Sequence, residues 1–104
     1  MITSQREELS LEGITRVKDV VSGTNVNLIV DVAEKLYVDS LSGEFRRGLF
    51  RIGDESGNIS LMLWGNAVDL VEQGDRLHIE NCFVRDWNGK KRITPGRKGV
   101  IKRL

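Results

Sequence analysis

The sequence has 104 residues, of which 39% are hydrophobic and 30% are charged, and its formal net charge is +1. These values are typical of one globular domain and exclude a disordered tail, a coiled coil and a membrane-spanning helix of about 20 apolar residues. A single cysteine, Cys82, and a single histidine, His78, exclude an internal disulfide and leave too few ligands for a structural zinc site.

The first residues differ in character from the rest of the chain. Residues 1–13 contain the acids Glu7, Glu8 and Glu12 and offer little apolar surface for docking. We therefore expect a flexible N-terminal arm over residues 1–13, followed by one domain over residues 14–104. No signal peptide precedes the first charges, so we expect a cytoplasmic, nucleoid-associated protein, or a nuclear one in a eukaryote.

Apolar residues recur at every second position from Asn25 onward, which predicts a first strand that ends in a Ser/Gly-bearing loop around residues 40–43. A second strand is predicted to carry Phe50 and Ile52 on its core face. Turn residues at 54–58 then lead into a third strand over residues 59–64. Its alternation places Trp64 on the face opposite the core.

Residues 67–71 can form barely more than one helical turn before Gly74. A fourth strand is predicted from Arg76 to Trp87, with a bulge near Asn81 and Cys82 where the apolar parity changes. Asn88-Gly89 is typical of a type I′ hairpin turn, and Lys90 to Thr94 form a fifth strand. Lys102 and Arg103 are expected to lie in a frayed terminus.

Five strands with a short helix between the third and the fourth predict an all-β OB-fold barrel. An SH3-like barrel is the alternative, but the long first and fourth strands favour the OB-fold.

Basic residues are concentrated near the C-terminus. Residues 85–104 contain eight basic side chains and one acid, Asp86, whereas the remainder of the chain has an excess of acids. This asymmetry indicates an anionic partner, although a basic stretch can also be a solvated surface.

Aromatic side chains are predicted to share a surface with these cations. Trp64 lies on the outer face of the third strand, and Phe83 and Trp87 are four residues apart on the fourth, although a core position is the alternative for each of these rings. Tyr37, at the end of the first strand, can belong to the core or to the surface. The outer side of the second strand and the fifth strand with its following turn supply the surrounding cations, Arg47, Arg51, Lys90, Arg92 and Arg97. Rings that stack on bases and cations that contact phosphates are the means by which proteins bind single-stranded nucleic acid.

Catalytic chemistry is not indicated. The chain has one histidine and no serine in a nucleophile elbow, so we expect no enzyme activity, no metal and no cofactor. The adjacent carboxylates of Asp54 and Glu55 are more typical of a turn in which Asp54 accepts hydrogen bonds from backbone amides.

Residues 50–65, FRIGDESGNISLMLWG, resemble the hairpin of strands two and three in replication protein A and in archaeal and human single-stranded DNA-binding proteins. Residues 14–17, 25–28, 73–77, 79–81, 87–89 and 96–99 match the same family in order and spacing, so the resemblance covers about residues 14–101.

This resemblance implies an OB-fold that binds single-stranded DNA in replication or repair. It also implies that Trp64 is a stacking tryptophan, that Phe83 and Trp87 occupy aromatic positions of strand four, and that Thr94 replaces an aromatic residue of some relatives. Other OB domains or subunits are implied partners, and a membrane is not.

Two other functions remain open from the residues. One is a protein-interaction or subunit-assembly domain, and the other is an RNA-binding domain, because DNA is favoured by the resemblance alone. The acidic arm is a further open question, since it can compete with DNA if it folds over the basic face.

Overall fold

The structure is a computed structural model in which residues 13–42 and 45–104 are described. The acids Glu7, Glu8 and Glu12 of the predicted arm lie outside these residues. The described chain contains a 3-10 turn, six strands and one short helix. They are, in order, the 3-10 turn Val17–Asp19, β1 (Asn25–Ser42), β2 (Phe45–Asp54), β3 (Gly57–Trp64), α1 (Ala67–Leu70), β4 (Arg76–Trp87), β5 (Lys90–Thr94) and β6 (Val100–Arg103).

Five of the strands form a ring through their backbone pairings. The pairings are β1 with β2, β2 with β3, β3 with β5, β5 with β4, and β4 with β1. All are antiparallel except the short pairing of β3 with β5. The helix α1 lies between β3 and β4 in the chain, as predicted. This arrangement confirms the predicted barrel and its strand order.

The sixth strand corrects the prediction that Lys102 and Arg103 are frayed. β5 pairs with β4 at Phe83–Trp87, so the first half of the same edge of β4 is left for β6. The chain returns there and pairs Val100 with Glu80 and Arg103 with Leu77. Lys102 Nζ also lies 2.9 Å from a carboxylate oxygen of Glu80, which fastens the strand to β4.

The core side chains alternate along the strands as the sequence predicts. Phe50 and Ile52 are fully buried in the barrel interior. The other buried members of this cluster from the strands are Val26, Leu28, Val30, Val32, Leu61, Leu63, Leu77, Ile79, Cys82, Val84 and Ile93. The 3-10 turn adds Val17, and α1 adds Val68, so the two short helical elements also contribute apolar side chains to the same core.

The predicted bulge in β4 is confirmed. The pairing moves from Val26 opposite Cys82 to Leu28 opposite Ile79, so β4 contains one extra residue between those pairs. Asn81 adopts a φ of 54°, which asparagine tolerates better than most residues, and its backbone N–H donates to Asn27 Oδ1 at 2.9 Å. The bulge explains the change in apolar parity along this strand.

β1 extends beyond its predicted end. The loop expected around residues 40–43 is wrong for its first part, because β1 runs through Ser42 and pairs with β2 as far as Phe45. Between Val32 and Tyr37 the pairing contains two register shifts, which interrupt the period-two pattern on which the prediction depended.

The turn between β4 and β5 is the tight hairpin that was predicted. Asn88 and Gly89 both have positive φ, at 51° and 82°, and Trp87 pairs directly with Lys90.

In the described ranges, no helix has the length and apolar character that a membrane crossing requires.

Candidate nucleic-acid interface

A cleft of about 470 Å³ opens on the outer surface of the barrel. Every strand of the ring contributes at least one side chain to it. Its lining residues, which we call the aromatic groove, are Tyr37, Arg47, Met62, Trp64, Arg85, Trp87, Arg92 and Thr94. Three aromatic rings and three arginines therefore line one concave surface.

The alternation of β3 supplies the centre of the groove. Leu61 and Leu63 point into the core, so Met62 and Trp64 point to the opposite face. Met62 is 4% exposed and forms the floor, whereas Trp64 is 40% exposed. The prediction that Trp64 lies outside the core is confirmed.

Trp87 lies at the end of β4, where the tight turn follows. It is 53% exposed, and the guanidinium of Arg92 lies 4.8 Å from the centroid of its ring. Arg85 is two residues earlier on the same strand and so shares this face. One side of the groove thus combines an exposed ring with two cations.

Arg47 provides a similar contact on the other side. Its guanidinium lies 5.8 Å from the ring centroid of Trp64, and its Nη2 donates to Asp39 Oδ2 at 3.0 Å. The hydrogen bond that Arg47 donates to Asp39 raises the pKa of Arg47, so this side chain remains charged throughout the usual pH range. Cation–π contacts at exposed sites stabilise by about 0.5–1 kcal/mol and hold each ring and guanidinium together.

Four of the eight predicted binding residues meet in the aromatic groove: Trp64, Trp87, Arg47 and Arg92. Phe83 does not line it. Phe83 is half-buried, and its register partners are Asn25 of β1 and Thr94 of β5.

Three predicted cations also lie elsewhere. Arg51 and Lys90 line a second cleft, of about 540 Å³, together with Lys18, Ser60 and the hairpin turn. Arg51 forms an ion pair with Glu34. Arg97 is exposed in the turn between β5 and β6.

The groove includes residues that the sequence did not single out. The sequence assigns Tyr37 to neither the core nor the surface, Met62 carries no signal, and Arg85 is marked only as part of the basic stretch. Arg85 had a usable signal, since it is two residues from Trp87 on one strand.

Groups with acid–base or ligand chemistry lie outside the groove. Asp54 accepts hydrogen bonds from the backbone N–H groups of Val17 and Ser56, as predicted for a turn, and Glu55 is exposed. Burial raises the pKa of the Cys82 thiol to about 11, which keeps it protonated at neutral pH. Across residues 13–42 and 45–104, no three His, Cys, Asp or Glu residues are grouped to hold a metal ion.

Comparison with known proteins identifies the fold. No protein-family model matches the chain. The second OB-fold domain of replication protein A from Methanococcus maripaludis superposes with a TM-score of 0.70 at 14% identity, and the match covers 86% of this chain and 93% of that one. The chain is an OB-fold domain.

Two further similarities connect the OB-fold domain with DNA-binding proteins. A single-stranded DNA-binding protein of Saccharolobus solfataricus is 24% identical over 91 residues, which are 86% of this chain and 62% of that protein. A replication protein A heterotrimer bound to single-stranded DNA contains a chain that matches with a TM-score of 0.69 and 17% identity, over 88% of this chain and 24% of that one. The resemblance seen in the sequence is confirmed by this homology, and the chain spans about three-fifths of the curated relative's length.

Proposed function

We propose that the OB-fold domain binds single-stranded DNA in the aromatic groove with little sequence preference. Bases stack on Trp64 and Trp87, and phosphates are contacted by arginines on one side of the groove. The observation that carries this proposal is the pairing of each exposed tryptophan with an arginine in one groove to which all five ring strands contribute. The homologous archaeal protein is named for the same ligand.

The two tryptophans and Tyr37 determine the affinity and the number of bound nucleotides that we expect. A base stacked on an aromatic side chain contributes about 1–3 kcal/mol, and one OB-fold covers about 4–16 nucleotides. Three rings correspond to the short end of that range. A single module of this kind binds weakly at physiological salt, so high affinity requires several OB domains acting together through their effective concentration.

Single strands suit the groove better than duplexes. An exposed ring can stack on a base only where the face of that base is accessible, and in a duplex the faces are occupied by neighbouring bases. The function we propose places the domain at replication or repair intermediates, in the cytoplasm of a prokaryote or in a eukaryotic nucleus. It assigns the protein a binding role and no catalytic one.

The test is a titration of fluorescently labelled oligo-dT, followed by anisotropy, with the intact protein and three variants. Trp64→Ala and Trp87→Ala are each expected to weaken binding by about 5-fold to 150-fold, the equivalent of 1–3 kcal/mol per base. Leu70→Ala is the matched control, because Leu70 is an apolar side chain that is 66% exposed on α1, outside the groove.

Duplex DNA and oligo-U serve as competitors in the same assay. Weak competition by the duplex supports the single-strand proposal, and equal competition by oligo-U would widen the ligand to RNA. Absence of binding to any single strand at low salt would refute the proposal and direct attention to a protein partner.

A further inference from the structure

The arginines of β2 differ in their partners from Arg85 and Arg92, which lie on the opposite side of the aromatic groove. Those of β2 are all neutralised by a nearby acid. Arg47 pairs with Asp39 at 3.0 Å, and both residues are direct partners in the register of β1 and β2. The other two pairs are Arg51 with Glu34 and Arg46 with Asp69.

The cations on the opposite side have no such partner. Arg85 of β4 and Arg92 of β5 lie directly opposite each other in the antiparallel register. Among the residues that the structure describes, neither has a carboxylate oxygen within 4.0 Å. Like charges placed directly opposite each other on neighbouring strands repel, and a bound anion removes that repulsion.

The pair of Asp39 and Arg47 is also closely held. Within the described part of the chain, Asp39 Oδ1 and Arg47 Nε are buried and have no hydrogen-bond partner, although Arg47 Nη2 donates to Asp39 Oδ2. The guanidinium is thus held between an acid and the ring of Trp64. Contact of Arg47 with a phosphate would bring that phosphate next to the carboxylate of Asp39.

We propose that the backbone of a bound strand runs along the side formed by β4 and β5, where Arg85 and Arg92 contact its phosphates, and that Asp39 prevents Arg47 from taking a phosphate. Arg47 then acts as a positioning residue for Trp64. This inference rests on the proposed function and specifies which side of the groove faces the phosphates and which faces the bases.

Salt dependence separates the two kinds of arginine. Each phosphate neutralised in a single strand changes the slope of log affinity against log salt concentration by about 0.7. Arg85→Gln and Arg92→Gln are each expected to flatten the slope by about this amount. Asp39→Asn keeps an oxygen that can accept from Arg47 but removes the negative charge, so it is expected to steepen the slope by about 0.7 and to tighten binding at low salt.

The matched control is the double variant Glu34→Gln/Arg51→Gln, which removes an ion pair outside the aromatic groove at no change in net charge. Its slope is expected to equal that of the unmodified protein. All variants are measured with labelled oligo-dT at four or more salt concentrations, at a temperature at which circular dichroism shows each of them folded.

The outcomes distinguish this inference from the proposed function. If the unmodified protein does not bind oligo-dT, the proposed function fails and the inference with it. If the protein binds but Arg85→Gln and Arg92→Gln leave the slope unchanged, the phosphates lie elsewhere and the inference alone is overturned. It is equally overturned if Asp39→Asn weakens binding or leaves the slope as it was.

Discussion

Replacing Asp54 with asparagine tests how the 3-10 turn is fastened to the barrel. One carboxylate oxygen of Asp54 accepts the backbone N–H of Val17 at 3.0 Å, and the other accepts both the N–H, at 2.7 Å, and the hydroxyl of Ser56. Desolvation raises the pKa of Asp54, but these hydrogen bonds, with one from the N–H of Gly57, outweigh it and hold the pKa below its usual value of 3.8.

The expected loss follows from the hydrogen bonds that asparagine cannot keep. In asparagine an NH₂ group replaces one carboxylate oxygen, and because it cannot accept a hydrogen bond from the N–H donor on that side, the hydrogen bond is lost. Hydrogen bonds to charged acceptors contribute about 1.5–3 kcal/mol each. Asp54→Asn should therefore lower the free energy of unfolding at pH 7 by about 2 kcal/mol. For a domain of this size the midpoint temperature then falls by about 8–16 °C.

The pH dependence has a definite sign. A carboxyl whose pKa is lower in the folded state stabilises the fold above the unfolded pKa, and this contribution is lost as pH falls through the folded pKa. Asp54→Asn and the unmodified protein should accordingly differ most in their free energy of unfolding at neutral pH. The part of this difference that depends on ionisation of Asp54 should shrink below pH 3.8.

Urea unfolding followed by tryptophan fluorescence from pH 2 to pH 7 measures this difference. Glu55→Gln is the control, since Glu55 is adjacent and exposed. The role assigned to Asp54 is refuted if Glu55→Gln lowers the free energy of unfolding as much as Asp54→Asn does. It is also refuted if the difference in this free energy between Asp54→Asn and the unmodified protein grows as the pH falls.

Three further predictions concern separate parts of the chain. Cys82, buried and with a pKa raised to about 11, should resist a thiol reagent at pH 8 until urea unfolds the protein, and rapid labelling of the native state would contradict its burial. Gly53→Ala should lower the free energy of unfolding by about 1–3 kcal/mol, the usual cost of overpacking, because its Cβ would lie 2.6 Å from the carbonyl oxygen of Gly57 and 2.2 Å from Asn58 Oδ1. Gly57→Ala, whose nearest neighbour is at 3.8 Å, is the comparison in thermal melts. Deleting residues 1–12 should tighten oligo-dT binding at low salt if their acids compete with DNA, and an unchanged affinity would end that hypothesis.

The sequence predicted the barrel because the buried positions alternate strictly in most strands. The bulge at Asn81 was predictable from the change in apolar parity along the fourth strand, and the turn at Asn88-Gly89 from two residues that tolerate positive φ. β6 was missed because Val100–Arg103 is short and mostly exposed. Its position depends on the vacant edge of β4, which becomes visible only when the strands are assembled.

The candidate site was predictable to a similar extent. Trp64 and Trp87 follow from alternation and from the position of the turn, so local pattern suffices for them. Tyr37 lies beyond two register shifts in β1, where the period-two pattern no longer assigns a face. Phe83 has the same parity as Trp87, yet it is half-buried and does not line the groove, because parity assigns a face of the strand and not a position along the groove.

The aromatic groove combines two features that do not stabilise the folded domain, namely exposed aromatic rings and two arginines that lie opposite each other. Trp64 and Trp87 leave large apolar rings in solvent, and Arg85 lies directly opposite Arg92 on the neighbouring strand, an arrangement in which the like charges repel. Each cost disappears when a planar, anionic ligand occupies the groove, because the rings are then covered and a phosphate lies between the cations. A stretch of single-stranded nucleic acid offers both in one molecule, whereas a protein partner would have to supply acids and flat apolar groups in the same spacing. The distribution of unfavourable features over the surface therefore favours nucleic acid over a protein partner.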